Sequence, residues 1–220
     1  MNITPLFEFL EELQNNNSKV FFDANRKRYE NLRDEWIQFI GSVLKDMEAF
    51  DPDVSTLRPK ECMFRINRDI RFSKDKSPYK TNFSIVINPH GKKSPKPSYY
   101  FHLEHNKTMF VAGGVWMPEK STLDKVREFI ASEPEKVTEL LKNSTFKKTF
   151  EGFDTGETLK NLPKGYFDDV HYPELIRLKS FTASRTFSAI PKSSKMFQEE
   201  LIRNFKSLSP LIFWLRSAIS

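Results

Sequence analysis

The spacing of the apolar residues changes twice along the chain, and this feature constrains the fold more than any other. Over residues 1–50 apolar side chains recur every three or four positions, as on the buried face of an α-helix. From Cys62 to Val115 they recur at about every second position, which is typical of β-strands. Past Pro118 the helical spacing returns. Helices, then strands, then helices predict an α+β fold.

The N-terminal segment 1–50 is predicted to form two helices. Thr4 and Pro5 are typical of a helix start, and the first apolar stripe ends before the polar sequence QNNNS. The second helix is expected to begin near Asp23 and to end around Phe50. Its apolar positions form one long stripe, consisting of Tyr29, Leu32, Trp36, Phe39, Ile40, Val43, Leu44 and Met47.

Alternating apolar residues predict a sheet within 58–117, which also contains a basic motif. The predicted strands cover residues 62–72, 83–87, 99–103 and 109–115, with another late in the chain at 181–187. Short connections between consecutive strands favour antiparallel pairing. We therefore expect an antiparallel sheet of about four to six strands.

The remaining segment, 118–220, is predicted to contain helices, a long loop and the late strand. The helical spacing is clear at 119–131, and it returns near the end of the chain at 196–205 and 211–215. Nothing in the sequence resembles a repeat or a linker. We expect a single domain over 1–220, in which N-terminal and C-terminal helices flank the sheet.

The composition argues against several classes of protein. Cys62 is the only cysteine, so neither an internal disulfide nor a multi-thiolate zinc site can form. The first residues lack the basic stretch of a signal peptide, and the longest strongly apolar run, 211–215, is too short for a membrane helix. Glycine is scarce and no nucleotide-binding or hydrolase template occurs, so no cofactor is predicted. We expect a cytoplasmic protein with no membrane partner.

The positive charge of the chain is concentrated in one segment. The whole chain carries a net charge of +6, yet 58–107 holds twelve Lys and Arg against four Asp and Glu, a local excess of +8. Within it lies RINRDIRFSKDKSPYK, residues 65–80, with six basic and two acidic side chains. A charged run of this kind is either a solvated face or a site that binds an anion.

The predicted strand gives the motif a geometry. Arg65, Asn67, Asp69 and Arg71 would share one polar face, because alternate residues of a strand point to the same side. Arg68 falls on the apolar phase, where a guanidinium needs a partner or a bulge that turns it outward. This weakens the interpretation as a solvated face, although a structural ion pair explains such an arginine as well.

A second polar group occurs in the sequence YYFHLEH. His102 and Glu104 lie two residues apart and would share a strand face, as a pair of metal ligands can. An outward polar face explains the pair more simply, because no third ligand is suitably spaced. No metal site is predicted.

The motif also carries a resemblance. The sequence FRINRDIRFSKDKSPYKTNF, residues 64–83, resembles the signature of a mainly bacterial family catalogued as domain of unknown function 2461. NNNSKVFFDANRKRYE, GGVWMP, LPKGY and PLIFWL are also similar to that family. The resemblance spans almost the whole chain and implies a single α+β domain, but no activity, substrate or cofactor. The positions that match the signature, and that we predict to bind a ligand, are Arg65, Arg68, Asp69, Arg71, Asp75, Lys76, Tyr79 and Lys80.

Three hypotheses about function follow. The first is a pocket for a small anionic ligand, such as a phosphorylated one, with an Asp or Tyr79 as proton carrier if chemistry takes place. The second is nucleic-acid binding by the basic segment 58–107, although Phe72 is phased to the core. The third is a non-catalytic scaffold or interaction protein, in which the motif forms internal ion pairs. The residues do not decide between an enzyme and a binding protein.

Overall fold

Local signals in the sequence set the helix ends. Ser18, Asn143 and Ser193 each accept a hydrogen bond from a backbone amide in the first turn of the helix that follows, which satisfies a donor that the helix leaves free. The computed structural model describes residues 1–220. Its helices are α1 (Thr4–Asn15), α2 (Lys19–Ala24), α3 (Arg26–Met47), α4 (Lys120–Ser132), α5 (Pro134–Lys142), α6 (Ser144–Phe150), α7 (Pro173–Ile176) and α8 (Ser194–Ile219). None of them combines the length and the apolar character needed to cross a membrane.

Two helix predictions are corrected. The helix expected from Asp23 is interrupted at Asn25, which separates α2 from α3 and whose side-chain amide donates to the carbonyl of Phe21 (3.0 Å). The two helices expected after residue 196 form the single helix α8, despite Pro210 in its interior. A proline leaves the carbonyl four residues earlier without its amide donor. Here the Ser209 hydroxyl donates to the carbonyl of Lys206 (2.9 Å), so the helix continues.

The strands form one antiparallel sheet, as predicted, and the α+β fold is confirmed. The strands are β1 (Asn82–Ile87), β2 (Ser98–Glu104), β3 (Met109–Val115) and β4 (Phe181–Thr186), in the spatial order β1-β2-β3-β4. The first three strands form a meander, while β4 follows four helices and returns to pair with β3. In β2 the side chains alternate between buried and half-buried, which gives the sheet one core face and one open face.

The core face of the sheet packs against α3 and α8. Trp36 of α3 has its ring 5.6 Å from that of Phe83 and 6.1 Å from that of Phe101. Phe197 of α8 lies 5.4 Å from Phe101 and stacks on Phe39 of α3 at 4.8 Å. These aromatic contacts join both helices to the sheet in one apolar layer, which leaves the opposite face to form a site.

The predicted strand at 62–72 is wrong. After a 3₁₀ helix at Pro59–Cys62 the chain runs irregularly up to β1, with only the isolated bridges Met63–Ile85 and Asn67–Tyr79. Phe72, which the alternation assigns to the core, is 97% exposed.

Aspartate side chains explain why no strand forms there. The Asp69 carboxylate accepts from the backbone amide of Arg71 (3.3 Å), and the Asp75 carboxylate accepts from that of Ser77 (2.9 Å). Such local bonds offer the backbone a turn in place of a strand ladder. The apolar residues of 62–72 therefore alternate as they would in a β-strand, although no strand forms there.

Candidate functional site

The basic motif folds back on itself as a loop. The backbone amide of Lys80 donates to the carbonyl of Ile66 (2.8 Å), and that of Arg68 donates to the carbonyl of Pro78 (2.9 Å). These bonds close residues 66–80 into a loop that we call the motif loop. Its two ends lie beside β1, so the charged residues are placed next to the edge of the sheet.

Tyr79 anchors the motif loop to the N-terminal helices. Asn17, between α1 and α2, donates from its side-chain amide to the Tyr79 carbonyl (2.9 Å) and accepts from the Tyr79 amide (3.0 Å). The Tyr79 ring is buried and stacks on Phe22 with the ring centroids 4.1 Å apart. The structure therefore gives this predicted ligand-binding residue a packing role.

Four other predicted residues form two ion pairs within the motif loop. The Arg68 guanidinium bonds to the Asp75 carboxylate and also donates to the carbonyl of Ser77 (3.2 Å). Arg71 bonds to Asp69 through both Nε (2.9 Å) and Nη2 (2.7 Å). Hydrogen bonds from Ser77, and then from Arg68, hold the pKa of Asp75 well below its usual range, and the Arg71 guanidinium lowers the pKa of Asp69. These charges already neutralise one another inside the loop.

Lys76 has a different partner. Its Nζ donates to the carbonyl of Ile70 at 3.0 Å, across the tip of the motif loop, and it forms no ion pair. The side chain is exposed, so Lys76 contributes a solvated positive charge to the surface.

The remaining predicted residues, Arg65 and Lys80, meet a third cation that the sequence interpretation missed. Lys92, in the loop between β1 and β2, donates from Nζ to the carbonyl of Met63 (2.7 Å). Two of these cations lie close to the Phe64 ring, whose centroid is 5.1 Å from Nζ of Lys80 and 5.8 Å from Nζ of Lys92. We call Arg65, Lys80 and Lys92 the cation cluster.

No carboxylate forms an ion pair with any member of the cation cluster. Lys92 interacts electrostatically with Glu61, but Glu61 itself pairs with Arg58 at 2.5 Å. Burial lowers the pKa of Lys80, and the nearby charges of Arg65 and Lys92 lower it further. Arg65 likewise interacts electrostatically with Asp69, which itself pairs with Arg71. The cluster is thus a concentration of positive charge whose neighbouring carboxylates are ion-paired to other arginines.

A cleft of about 840 Å³ opens on the sheet beside the cation cluster. Small residues of β2, β3 and β4 form its floor, which explains the free space. They are Ser98, Ala112, Gly114, Thr182 and Ser184. Lys92 and Lys96 line the wall on the β1 side, while Asp154 and Glu157 line the wall on the β4 side. Lys92 is a member of the cation cluster and also lines this sheet cleft, so the two are continuous.

The polar residues of YYFHLEH form a chain of polar contacts on the open face of the sheet. The Tyr100 hydroxyl lies 3.0 Å from Nδ1 of His102, and Nε2 of His102 lies 3.8 Å from the Glu104 carboxylate. The His102 ring stacks on Phe110, and its burial lowers its pKa although Glu104 acts in the opposite direction. Tyr100 lines the sheet cleft, so this chain brings a titratable group to the site. The structure contains no group of three or more His, Cys, Asp or Glu side chains that could hold a metal ion, so His102 and Glu104 do not belong to one.

Sequence reasoning missed Lys92 and the sheet cleft for one reason. Lys92 approaches the motif only through the conformation of the loop 88–97, which carries no periodic signal. The basic stretch GKKSPK between two predicted strands was the available indication. A second residue with a role that the sequence does not indicate is Arg127 of α4, which is buried and donates to the carbonyls of Ile176 (2.8 Å) and Leu178 (3.0 Å).

Comparisons with known proteins place the chain in a family. Neither a curated protein nor a solved structure matches it. A family model described as "Conserved hypothetical protein (DUF2461)" matches residues 5–214, which include the motif loop, the cation cluster and the sheet cleft. The chain therefore belongs to the DUF2461 family, as its central motif predicts.

Proposed function

We propose that the protein binds a small anionic ligand, of which a phosphorylated compound is the leading example, at the cation cluster. The observation that carries the proposal is the convergence of Arg65, Lys80 and Lys92 without a carboxylate partner. Of the residues that the sequence predicts for this role, Arg65 and Lys80 are members of the cluster, while Arg68, Asp69, Arg71 and Asp75 shape the motif loop beside it.

Electrostatics supports this choice of anion site. Lys80 is half-buried, whereas Arg65 and Lys92 are exposed. Like charges placed near a half-buried lysine repel it, and an anion bound among them relieves that repulsion. An arginine fork supplies directional donors for phosphate or carboxylate oxygens, and two lysines add mobile charges. The sheet cleft offers a concave volume into which the rest of the ligand extends, within the range of about 300–1,000 Å³ that is common for ligand sites.

The proposal is tested by thermal unfolding and calorimetry with inorganic phosphate. A ligand at about one hundred times its dissociation constant stabilises the native state by about 2.7 kcal/mol. We expect this stabilisation in the wild type, its loss in Lys80→Gln, and its retention in Lys74→Gln. Lys74 is the matched control because it is an exposed lysine of the same loop outside the cation cluster.

A second expectation concerns the protein without ligand. Arg65→Gln removes one of three mutually repelling charges, so the free variant should unfold at a higher temperature than the wild type although it binds phosphate more weakly. Equal phosphate stabilisation in wild type, Lys80→Gln and Lys74→Gln would contradict the proposed site. Lower stability of free Arg65→Gln would indicate a structural arginine.

Single-stranded nucleic acid is a second candidate, favoured by one observation. Phe72 is 97% exposed at the tip of the motif loop, with the Arg71 guanidinium 5.9 Å from its ring centroid. Exposed aromatic and basic side chains are what unstacked bases bind. If this candidate is correct, the affinity of the protein for single-stranded nucleic acid should fall steeply as the salt concentration rises, and Phe72→Ala should weaken it. An affinity that does not change with salt would exclude this candidate.

A further inference from the structure

Trp116 lines the sheet cleft and is unusual among the tryptophans of the chain. It is 77% exposed, whereas Trp36 is 0% and Trp214 is 8% exposed. A large aromatic ring that remains exposed at the edge of a cleft offers a flat surface for a ligand ring.

The backbone that carries Trp116 is held in a strained conformation. Met117, the next residue, has φ of 44°, in the left-handed region that residues other than glycine seldom adopt. Its amide donates to the hydroxyl of Ser180 (2.8 Å), which fixes the turn against the start of β4. Strain of this kind is found where a structure presents side chains to a ligand.

Acidic residues line the sheet cleft together with Trp116, and one of them has no partner in the protein. Asp154 is already bonded to the hydroxyls of Thr182 (2.8 Å) and Ser184 (2.9 Å). Glu119, three residues after Trp116, lines the cleft and forms neither an ion pair nor a side-chain hydrogen bond. A carboxylate beside an aromatic ring accepts from the exocyclic amino group of a nucleobase.

We infer that the ligand of the proposed anion site is a nucleoside monophosphate. The phosphate binds at the cation cluster, the ribose lies over the floor of small side chains, and the base stacks on Trp116 with its amino group towards Glu119. This inference rests on the proposed function, because it identifies the ligand class of the same site. The site would recognise a phosphate group joined through a sugar to a base. Both a free nucleotide and a nucleic-acid strand contain these groups.

The test compares ligands that contain successive parts of a nucleotide. Inorganic phosphate, ribose 5-phosphate, the monophosphates of adenosine, guanosine, cytidine and uridine, and a short single-stranded oligonucleotide are titrated by calorimetry and by tryptophan fluorescence. Because Trp116 is the exposed tryptophan, base stacking should quench its emission. We expect a nucleoside monophosphate to bind at least about tenfold more tightly than ribose 5-phosphate and to be the smallest ligand that quenches.

Two variants separate the parts of the site. Trp116→Leu should lose the quenching and the preference for a nucleotide over ribose 5-phosphate, while its binding of phosphate is unchanged. Glu119→Gln should weaken binding of the bases that carry an amino group relative to uridine monophosphate. Both replaced side chains lie at the surface of the cleft, and unchanged unfolding temperatures without ligand verify that the variants fold.

Other results of these titrations would overturn either the nucleotide inference or the proposed anion site. Equal affinities for phosphate, ribose 5-phosphate and nucleotides, with unchanged fluorescence, would overturn the nucleotide inference and leave the proposed anion site standing. Binding of no anion at all would overturn the proposed function itself. If the oligonucleotide binds much more tightly than any mononucleotide, and with a steeper salt dependence, the ligand is a nucleic-acid strand and the inference of a free nucleotide is overturned.

Discussion

His102 shows how a single side chain takes its properties from its place on the sheet. Its ring is stacked on Phe110 at 4.9 Å, its Nδ1 lies 3.0 Å from the Tyr100 hydroxyl, and its side chain is only 15% exposed. Burial disfavours the imidazolium and lowers the pKa of His102, and Glu104 offsets this effect only in part. The neutral imidazole is therefore the form that fits the folded protein.

The lowered pKa of His102 predicts a pH dependence of stability. As the pH falls through about 6.5, the ordinary histidine pKa, the unfolded chain takes up a proton that folded His102 does not, so the free energy of unfolding decreases. The decrease should end once the pH reaches the lower folded pKa. Urea denaturation between about pH 7.5 and 5 measures this, and His102→Gln should flatten the curve in that range.

The matched control for this prediction is His90→Gln, which replaces an exposed histidine of the 88–97 loop. Its curve should follow that of the wild type. If His102→Gln also gives a curve parallel to the wild type, His102 does not carry the effect.

At the scale of the elements, two adjacent glycines let β3 fit between its neighbours. A Cβ at Gly113 would lie 3.1 Å from Leu208 of α8, at the end of a flexible side chain. A Cβ at Gly114 would lie 2.0 Å from the carbonyl oxygen of Phe181 in β4, and Gly114 has φ of 125°. The first glycine lets the helix approach the sheet, whereas the second permits the pairing of β3 with β4.

Alanine at these positions should therefore have unequal effects. Gly114→Ala should destabilise the protein by roughly 3 kcal/mol or more, because backbone strain and the overlap with Phe181 both contribute. Gly113→Ala should cost about 1–2 kcal/mol, since the Leu208 side chain can move. Gly156→Ala, where no atom lies within 4 Å of the added Cβ, is the control and should be nearly neutral. Chemical denaturation measures all three, and equal losses at 113 and 114 would refute this account.

Helices and strands were predictable from the sequence where the spacing of apolar residues alone determines the local structure. The strands β1 to β4 follow the alternation of apolar residues, and the core face of α3 follows its stripe. At 62–72 the same alternation failed, because the Asp69 side chain bonds to the backbone amide of Arg71 within the segment and the Asp75 side chain bonds to that of Ser77 just after it. The cation cluster was half predicted: Arg65 and Lys80 belong to the motif, whereas Lys92 joins them through the fold of a separate loop.

At the scale of the whole molecule, a buried ionic network joins three parts of the chain. Arg216 of α8 binds the Asp51 carboxylate through Nη1 (2.9 Å) and Nη2 (2.8 Å), and Asp51 is completely buried after the end of α3. Tyr99 of β2 donates to the same carboxylate (3.0 Å). The last helix, the sheet and the end of the N-terminal helices are thus fixed to one another at one point.

Removal of Arg216 should weaken the whole fold. Arg216→Ala leaves the Asp51 carboxylate buried without a cation, which should cost about 3 kcal/mol of unfolding free energy. Arg203→Ala, on an exposed position of the same helix, should change stability by less than about 0.5 kcal/mol. Equal effects of the two substitutions in urea denaturation would show that the network contributes nothing particular.

The position of α8 along the chain also has a consequence for biosynthesis. The meander is complete at Val115, but the helix that covers its apolar face begins only at Ser194. While the ribosome adds the residues between them, the face that carries Phe101 and Val111 lacks its final cover. A nascent chain with such a face is prone to aggregate, and chaperones bind surfaces of this kind. We therefore expect the cellular yield of this protein to depend on how quickly α8 docks after it is synthesised.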